Sequence, residues 1–183
     1  MDFKKLEALE KQVKNCKRCT LYASCKGKVF GDIGSNTKVI FIAEAPGSEE
    51  EMTGTTLIGP AGQLFRSWVK VIGLKDNEMS LLNIIRCQPP NNRAPLESEI
   101  SSCSKWLNAQ LDLISCNKIV LLGRTACNAI IPDLDGTVLK HVGKIYEIGH
   151  MKYLIMPHPS FVMRDGNRYP VPLDKLQKFI EGD

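Results

Sequence analysis

Four cysteines stand at spacings that suit metal chemistry: Cys16 and Cys19 form a C-x2-C pair, and Cys87 and Cys103 follow with fifteen residues between them. Thiolates placed this way hold a zinc ion or an iron–sulfur cluster, and the spacing alone does not choose between the two. Three other groups have chemical potential. Glu44, in Ala43-Glu44-Ala45-Pro46-Gly47, offers a carboxylate next to a turn. Asn83 is a polar amide in the apolar run Leu81-Leu82-Asn83-Ile84-Ile85. His158 is an imidazole bracketed by Pro157 and Pro159. A carboxylate, an amide and an imidazole brought together suit acid–base chemistry and the stabilisation of developing charge.

The remaining cysteines are Cys25, Cys116 and Cys127, which makes seven in all. In a reducing compartment such residues are core or ligands rather than disulfides. Cys116 and Cys127 lie in apolar contexts and read as ordinary buried thiols. Cys25, six residues after Cys19, reads as a spare thiol near the metal. His141 and His150 have no comparable context and read as surface residues.

The elements that must position these groups alternate. Four short runs rich in branched residues read as buried strands: 39–42, 81–85, 119–122 and 153–156. Near-continuous apolar runs of this kind suit parallel strands covered on both faces. Amphipathic helices are expected over 2–14, 61–72 and 96–114, with a short one over 124–130 and a last one opening at Pro172. Residues 15–28 form a cysteine loop, and a hairpin is expected around Gly149-His150. The alternation predicts a three-layer α/β/α sandwich on a central four-stranded, mostly parallel sheet. Ligands of such sheets bind beyond the C-terminal strand ends, which is where Glu44, the Arg86-Cys87 turn, Gly123-Arg124 and His158 all fall.

At 183 residues the chain suffices for one domain with a hydrophobic core. A net charge of +4 is compatible with nucleic acid without implying it. No apolar run approaches the roughly 20 residues of a membrane span. Residues 1–5 lack the apolar stretch of a signal peptide, so a cytoplasmic location is expected.

The order and spacing of five motifs resemble the family 4 uracil-DNA glycosylases, the iron–sulfur branch of their superfamily, over roughly residues 13–180. The cysteine set matches that family's four ligands. Residues 43–51 match its G-E-x-P-G-x-x-E-D pattern at Glu44 and Glu50 and depart from it at Ala43 and Glu51. Residues 54–64 match G-x-P-F-V-G-x-A-G-x-L, except that Leu57 stands where the family has a phenylalanine. Asn83 and the stretch from His158 to Arg164 complete the set.

The resemblance implies a [4Fe–4S] cluster on Cys16, Cys19, Cys87 and Cys103 with a structural job. It implies Glu44, Glu50 and His158 as catalytic residues, and Ala45, Leu57, Asn83 and Ser160 as substrate-binding ones. Asn83 would read the edge of a flipped uracil, and His158 would donate to its O2. Arg93, Phe161 and Arg164 are implied as DNA contacts, with Phe161, Val162 or Met163 as a wedge. Arg86 and Arg124 are further cationic candidates, and Glu49 and Glu51 read as solvated. The implied activity is hydrolytic excision of uracil from single- or double-stranded DNA by a monomer, leaving an abasic site. Leu57 keeps open a glycosylase for another base, since it lacks the ring stacking worth roughly 1–3 kcal/mol per base. A non-catalytic DNA-binding role is a further alternative. A covalent uracil-DNA binder needs a histidine near residues 89–95, and none is present.

Overall fold

The computed structural model describes residues 1–182. Helix α1 (Phe3–Lys14) starts where the Asp2 side chain accepts the Lys5 N–H at 3.1 Å, and it buries Leu6, Leu9 and Val13. The elements that follow are β1 (Val39–Ala43), α2 (Ser48–Thr53), α3 (Pro60–Val71), β2 (Met79–Asn83), α4 (Glu97–Leu113), β3 (Lys118–Leu122) and α5 (Gly123–Ile130). The chain ends with β4 (Ile145–Ile148), β5 (Met151–Met156), α6 (Pro159–Arg164) and α7 (Leu173–Glu181).

The sheet order is β2-β1-β3-β5-β4. Strands β2, β1, β3 and β5 are mutually parallel, and β4 pairs antiparallel with β5. The expected four-stranded sheet therefore has a fifth strand, the first arm of the hairpin anticipated around Gly149. Its residues are largely exposed, so it carries none of the apolar signal that marks the buried strands.

Alternation along each strand separates two cores. Ile40, Ile42, Leu82, Ile119, Leu121 and Ile155 face α1, α4 and α5, meeting Leu9, Val13, Trp106, Leu107 and Cys127. Val39, Phe41, Leu81, Val120, Leu154 and Met156 face α3, α6 and α7, meeting Phe65, Trp68, Val162, Leu176 and Phe179. The result is the expected α/β/α layering. One sheet edge is protected: the segment before β1 runs along β2, with Asp32 N and Leu81 O at 2.9 Å and Leu81 N and Asp32 O at 2.8 Å.

Candidate active site

The four parallel strands all end at one cleft, and β1 and β3 diverge there to opposite sides of the sheet. This is the topological position where such sheets bind ligands. The cleft has a volume of about 1070 Å³, and its walls include Glu44, Leu57, Asn83, Arg124, His158 and Arg164. That is much more than one base fills, leaving room for the backbone around it.

Glu44 follows β1. Sheet-like bonds continue past the strand, with the Ile84 N–H on Ala43 O at 2.8 Å and the Ile85 N–H on Glu44 O at 3.2 Å, so the Glu44 backbone is fixed. Its carboxylate Oε2 accepts a hydrogen bond from the Thr125 hydroxyl on α5. Nothing in the sequence singled out Thr125. Asn83, in register with Ala43, ends β2 and is buried at 2% exposure, yet it faces the cleft. No hydrogen bond within the protein, among the described residues, occupies its side-chain amide.

His158 caps α6. Its Nδ1 accepts the Ser160 N–H at 3.1 Å and lies 2.7 Å from the Ser160 hydroxyl. An Nδ1 that accepts places the neutral ring's proton on Nε2. Burial, and then the charge of Arg164, press the imidazole pKa down to about 4, with Glu50 opposing. At neutral pH the ring is therefore an uncharged Nε2–H donor. Gly123 (φ +83°) makes the close approach of α5 possible, because a Cβ there would lie 2.7 Å from His158 Cβ.

The carboxylates of Glu50 and Glu51 are both held by backbone N–H groups. Glu50 receives the Gly47 N–H on Oε2 at 3.1 Å and the Ile58 and Gly59 N–H groups on Oε1 at 2.9 and 3.0 Å. A carboxylate engaged by three backbone donors braces the loops around it, and Glu50 also lines the cleft. Glu51 is buried rather than solvated, and its Oε1 accepts the Lys26 N–H at 3.0 Å, fastening the cysteine loop to α2. Glu49 is exposed as expected.

Leu57 is buried on the cleft wall in a left-handed conformation (φ 53°). Gly62 presses against it from α3, since a Cβ there would sit 1.9 Å from Leu57 O. A non-glycine residue in this conformation is strain of the kind held at ligand sites. Ala45 and Ser160 also line the cleft.

The cationic candidates divide. Arg124 and Arg164 are exposed at the rim. Arg93 also reaches the rim, but both its Nη atoms bind the buried Glu99 carboxylate, at 2.7 and 2.9 Å. Arg86 is buried at 2% exposure and cannot reach DNA. Of the three wedge candidates, Val162 belongs to the core, Phe161 packs edge-on against Tyr169 at 5.3 Å, and Met163 is exposed. His141 is buried, between Tyr146 and the Asp135 carbonyl, contrary to its surface reading. His150 is exposed.

A second, smaller cavity brings together Cys16, Cys19, Cys87 and Cys103 with Arg18, Lys28, Arg86 and Trp106. The Trp106 indole N–H donates to Cys16 Sγ at 3.2 Å. Burial raises the Cys87 and Cys103 thiols above the usual range, and Cys25 adds to the effect on Cys87. Among the described residues no three His, Cys, Asp or Glu side chains close on a single ion. Cys127 is fully buried and pushed up to about 12 by burial, whereas Cys116 is only half-buried. No helix among the described residues is long and apolar enough to cross a membrane.

Sheet and cleft together define an α/β domain with a strand-end site of carboxylate, amide and neutral imidazole. Residues 30–181 match the model of the uracil DNA glycosylase superfamily. The chain is 31% identical to the type-4 uracil-DNA glycosylase of Thermotoga maritima, over 87% of this chain and 84% of that one. It is 33% identical to the type-4 enzyme of Archaeoglobus fulgidus, over 86% and 83%. It is 31% identical to that of Sulfurisphaera tokodaii, over 97% and 81%. The chain belongs to the uracil-DNA glycosylase superfamily, in its type-4 family.

Proposed function

We propose that this chain is a monofunctional uracil-DNA glycosylase, acting as one domain and one chain on uracil in single- or double-stranded DNA. The observation that carries this reading is the convergence of Glu44, Asn83 and His158 on one cleft, with the imidazole held as an Nε2–H donor.

Arg124 and Arg164 at the rim take flanking phosphates, and Phe161 on the cleft wall or the exposed Met163 enters the stack. Extruding the base costs a few kcal/mol, least for a mispaired uracil, so U opposite G is a favoured duplex substrate. In the cleft the free amide of Asn83 meets uracil O4 and N3–H together. The glycosidic bond lengthens, negative charge gathers on the base and positive charge on the sugar. The Nε2–H of His158 stabilises O2 as that charge develops. The Glu44 carboxylate faces the cationic sugar and orients the attacking water. Glu50 and Ser160 act as positioning residues, the first on the loops and the second on the imidazole. Ala45 and Leu57 cover the base.

The smaller cavity fits a [4Fe–4S] cluster on Cys16, Cys19, Cys87 and Cys103. The cavity gathers these four cysteines beside Arg18, Lys28 and Arg86, cations that would balance an anionic cluster. When bound, the cluster supplies a rigid anchor for the cysteine loop. A cytoplasmic, reducing location suits free thiols of this kind.

The test is incubation of the reconstituted protein with labelled strands carrying one U·G pair, followed by alkali to cut abasic sites. Strand cleavage that vanishes in Glu44→Ala and His158→Ala is the expected result. A folded, iron-loaded protein that produces none overturns the assignment.

A further inference from the structure

Arg86 is among the largest fully buried side chains of the protein. Its Nη1 donates to the Asn83 carbonyl and its Nη2 to Gln110 Oε1, while Nε has no acceptor among the described residues. Gln110 is anchored in turn, its Nε2 donating to Phe30 O at 2.8 Å. A buried guanidinium ordinarily sits against a carboxylate, because an uncompensated charge in the interior is costly. None pairs with Arg86 among the described residues. Arg86 instead lines the cavity that holds Cys16, Cys19, Cys87 and Cys103, and Cys87 follows it directly in the chain.

We propose that Arg86 is the internal counter-charge of the four-cysteine site and the positioning residue that ties that site to Asn83. The proposal rests on the cluster reading above. Four thiolates outweigh the positive charge of an iron–sulfur core, and the net charge and the hydrogen bonds to sulfur set how firmly such a core is held. The buried cation supplies the first. The same guanidinium holds the carbonyl of the residue that ends β2 and faces the cleft. One side chain thus touches both halves of the molecule: the metal site loses its balancing charge, and Asn83 its anchor, when it is removed. This gives the site next to the cleft a bearing on base recognition that loop anchoring alone does not provide.

Charge and fork are separable by substitution. Arg86→Met removes both. Arg86→Lys keeps the charge and loses the two-pronged grip. Each is reconstituted anaerobically beside the wild type, with iron and sulfide counted, Fe–S(thiolate) resonance Raman bands recorded, iron release to a chelator timed, and single-turnover excision measured. The expected result for Arg86→Met is iron release faster by about 10–100-fold, the usual cost of losing a partner of a metal ligand, with shifted Raman bands. Arg86→Lys is expected to hold iron within a few-fold of wild type but to bind uracil-DNA more weakly, with the loss in KM. A folded Arg86→Met that keeps wild-type bands and iron retention overturns the counter-charge. If that variant does not fold, Arg86→Lys decides the matter: rapid iron release contradicts the counter-charge, and an unchanged KM contradicts the tie to Asn83. Wild-type protein that takes up no iron and sulfide defeats the cluster reading itself, a failure visible before any variant is compared.

Discussion

The Thr125 hydroxyl donates to Glu44 Oε2, joining the loop after β1 to the first turn of the helix after β3, at the place where those strands diverge. The bond sets the direction of a cleft carboxylate that, unlike that of Glu50, is not engaged by backbone N–H groups. Hydrogen bonds to charged groups contribute roughly 1.5–3 kcal/mol. Thr125→Val is therefore expected to slow single-turnover excision by about 10–100-fold with binding of uracil-DNA unchanged, and Thr125→Ser to restore it. A Val variant at the wild-type rate contradicts this role.

His158 has two measurable signatures. Loss of a donor that acts on developing charge costs roughly 10²–10³ in rate, so His158→Ala should fall in that range in kcat. With its pKa near 4, the imidazole stays neutral across the neutral range and contributes no rate inflection near its ordinary 6.5. The stability consequence has a definite sign. Between about 4 and 6.5 the unfolded chain binds the proton and the folded chain does not, so the folded state is weakened as pH falls through that window. Denaturation midpoints measured from pH 7 to pH 4 should decline less steeply in His158→Gln than in wild type.

Gly123→Ala tests the packing of α5 on the histidine. The backbone there is left-handed (φ +83°), and the added methyl meets His158 Cβ at 2.7 Å. Gly149 (φ +61°) has nothing within 4 Å, so Gly149→Ala supplies strain without collision. Both variants should lose about 1 kcal/mol or more of stability. Only Gly123→Ala should also lose excision, read in the U·G assay at matched folded fraction.

Leu57→Phe should tighten binding of uracil-DNA. Ring stacking contributes roughly 1–3 kcal/mol per base, or about 5–150-fold. The comparison is a titration against uracil-containing and thymine-containing strands. Equal affinity of the two proteins for uracil would show that residue 57 does not cover the base.

Much of the fold was legible because buried parallel strands are apolar without interruption. The runs ending at Ile42, Leu122 and Met156 stand out for that reason. β2 was placed two residues late, at 81–85 against Met79–Asn83, because Ile84 and Ile85 stay buried and continue the ladder by hydrogen bonding after the strand ends. β4 was hidden by its exposure. That Glu44, Asn83 and His158 share one cleft was legible from their places at the ends of parallel strands. Thr125 was not, since a threonine on a helix acquires its role only through a partner 81 positions away. Arg86 and Glu51 were misread for a related reason: charge in a sequence suggests solvent, and only packing reveals a charge held inside. For Glu50 the motif match could not disclose the three backbone donors that hold it.

The loop bearing Leu57 is held by its main chain. Thr56 N–H is taken by Asp32 at 2.9 Å, and Ile58 and Gly59 N–H by Glu50. None of these bonds depends on what side chain residue 57 carries. Exchanging the side chain at this position therefore leaves the loop's path in place, and leaves Glu44 and His158, at other strand ends, where they stand. The cleft wall at residue 57 and the polar groups at the strand ends thus stand on separate supports, so one can be altered without rebuilding the other.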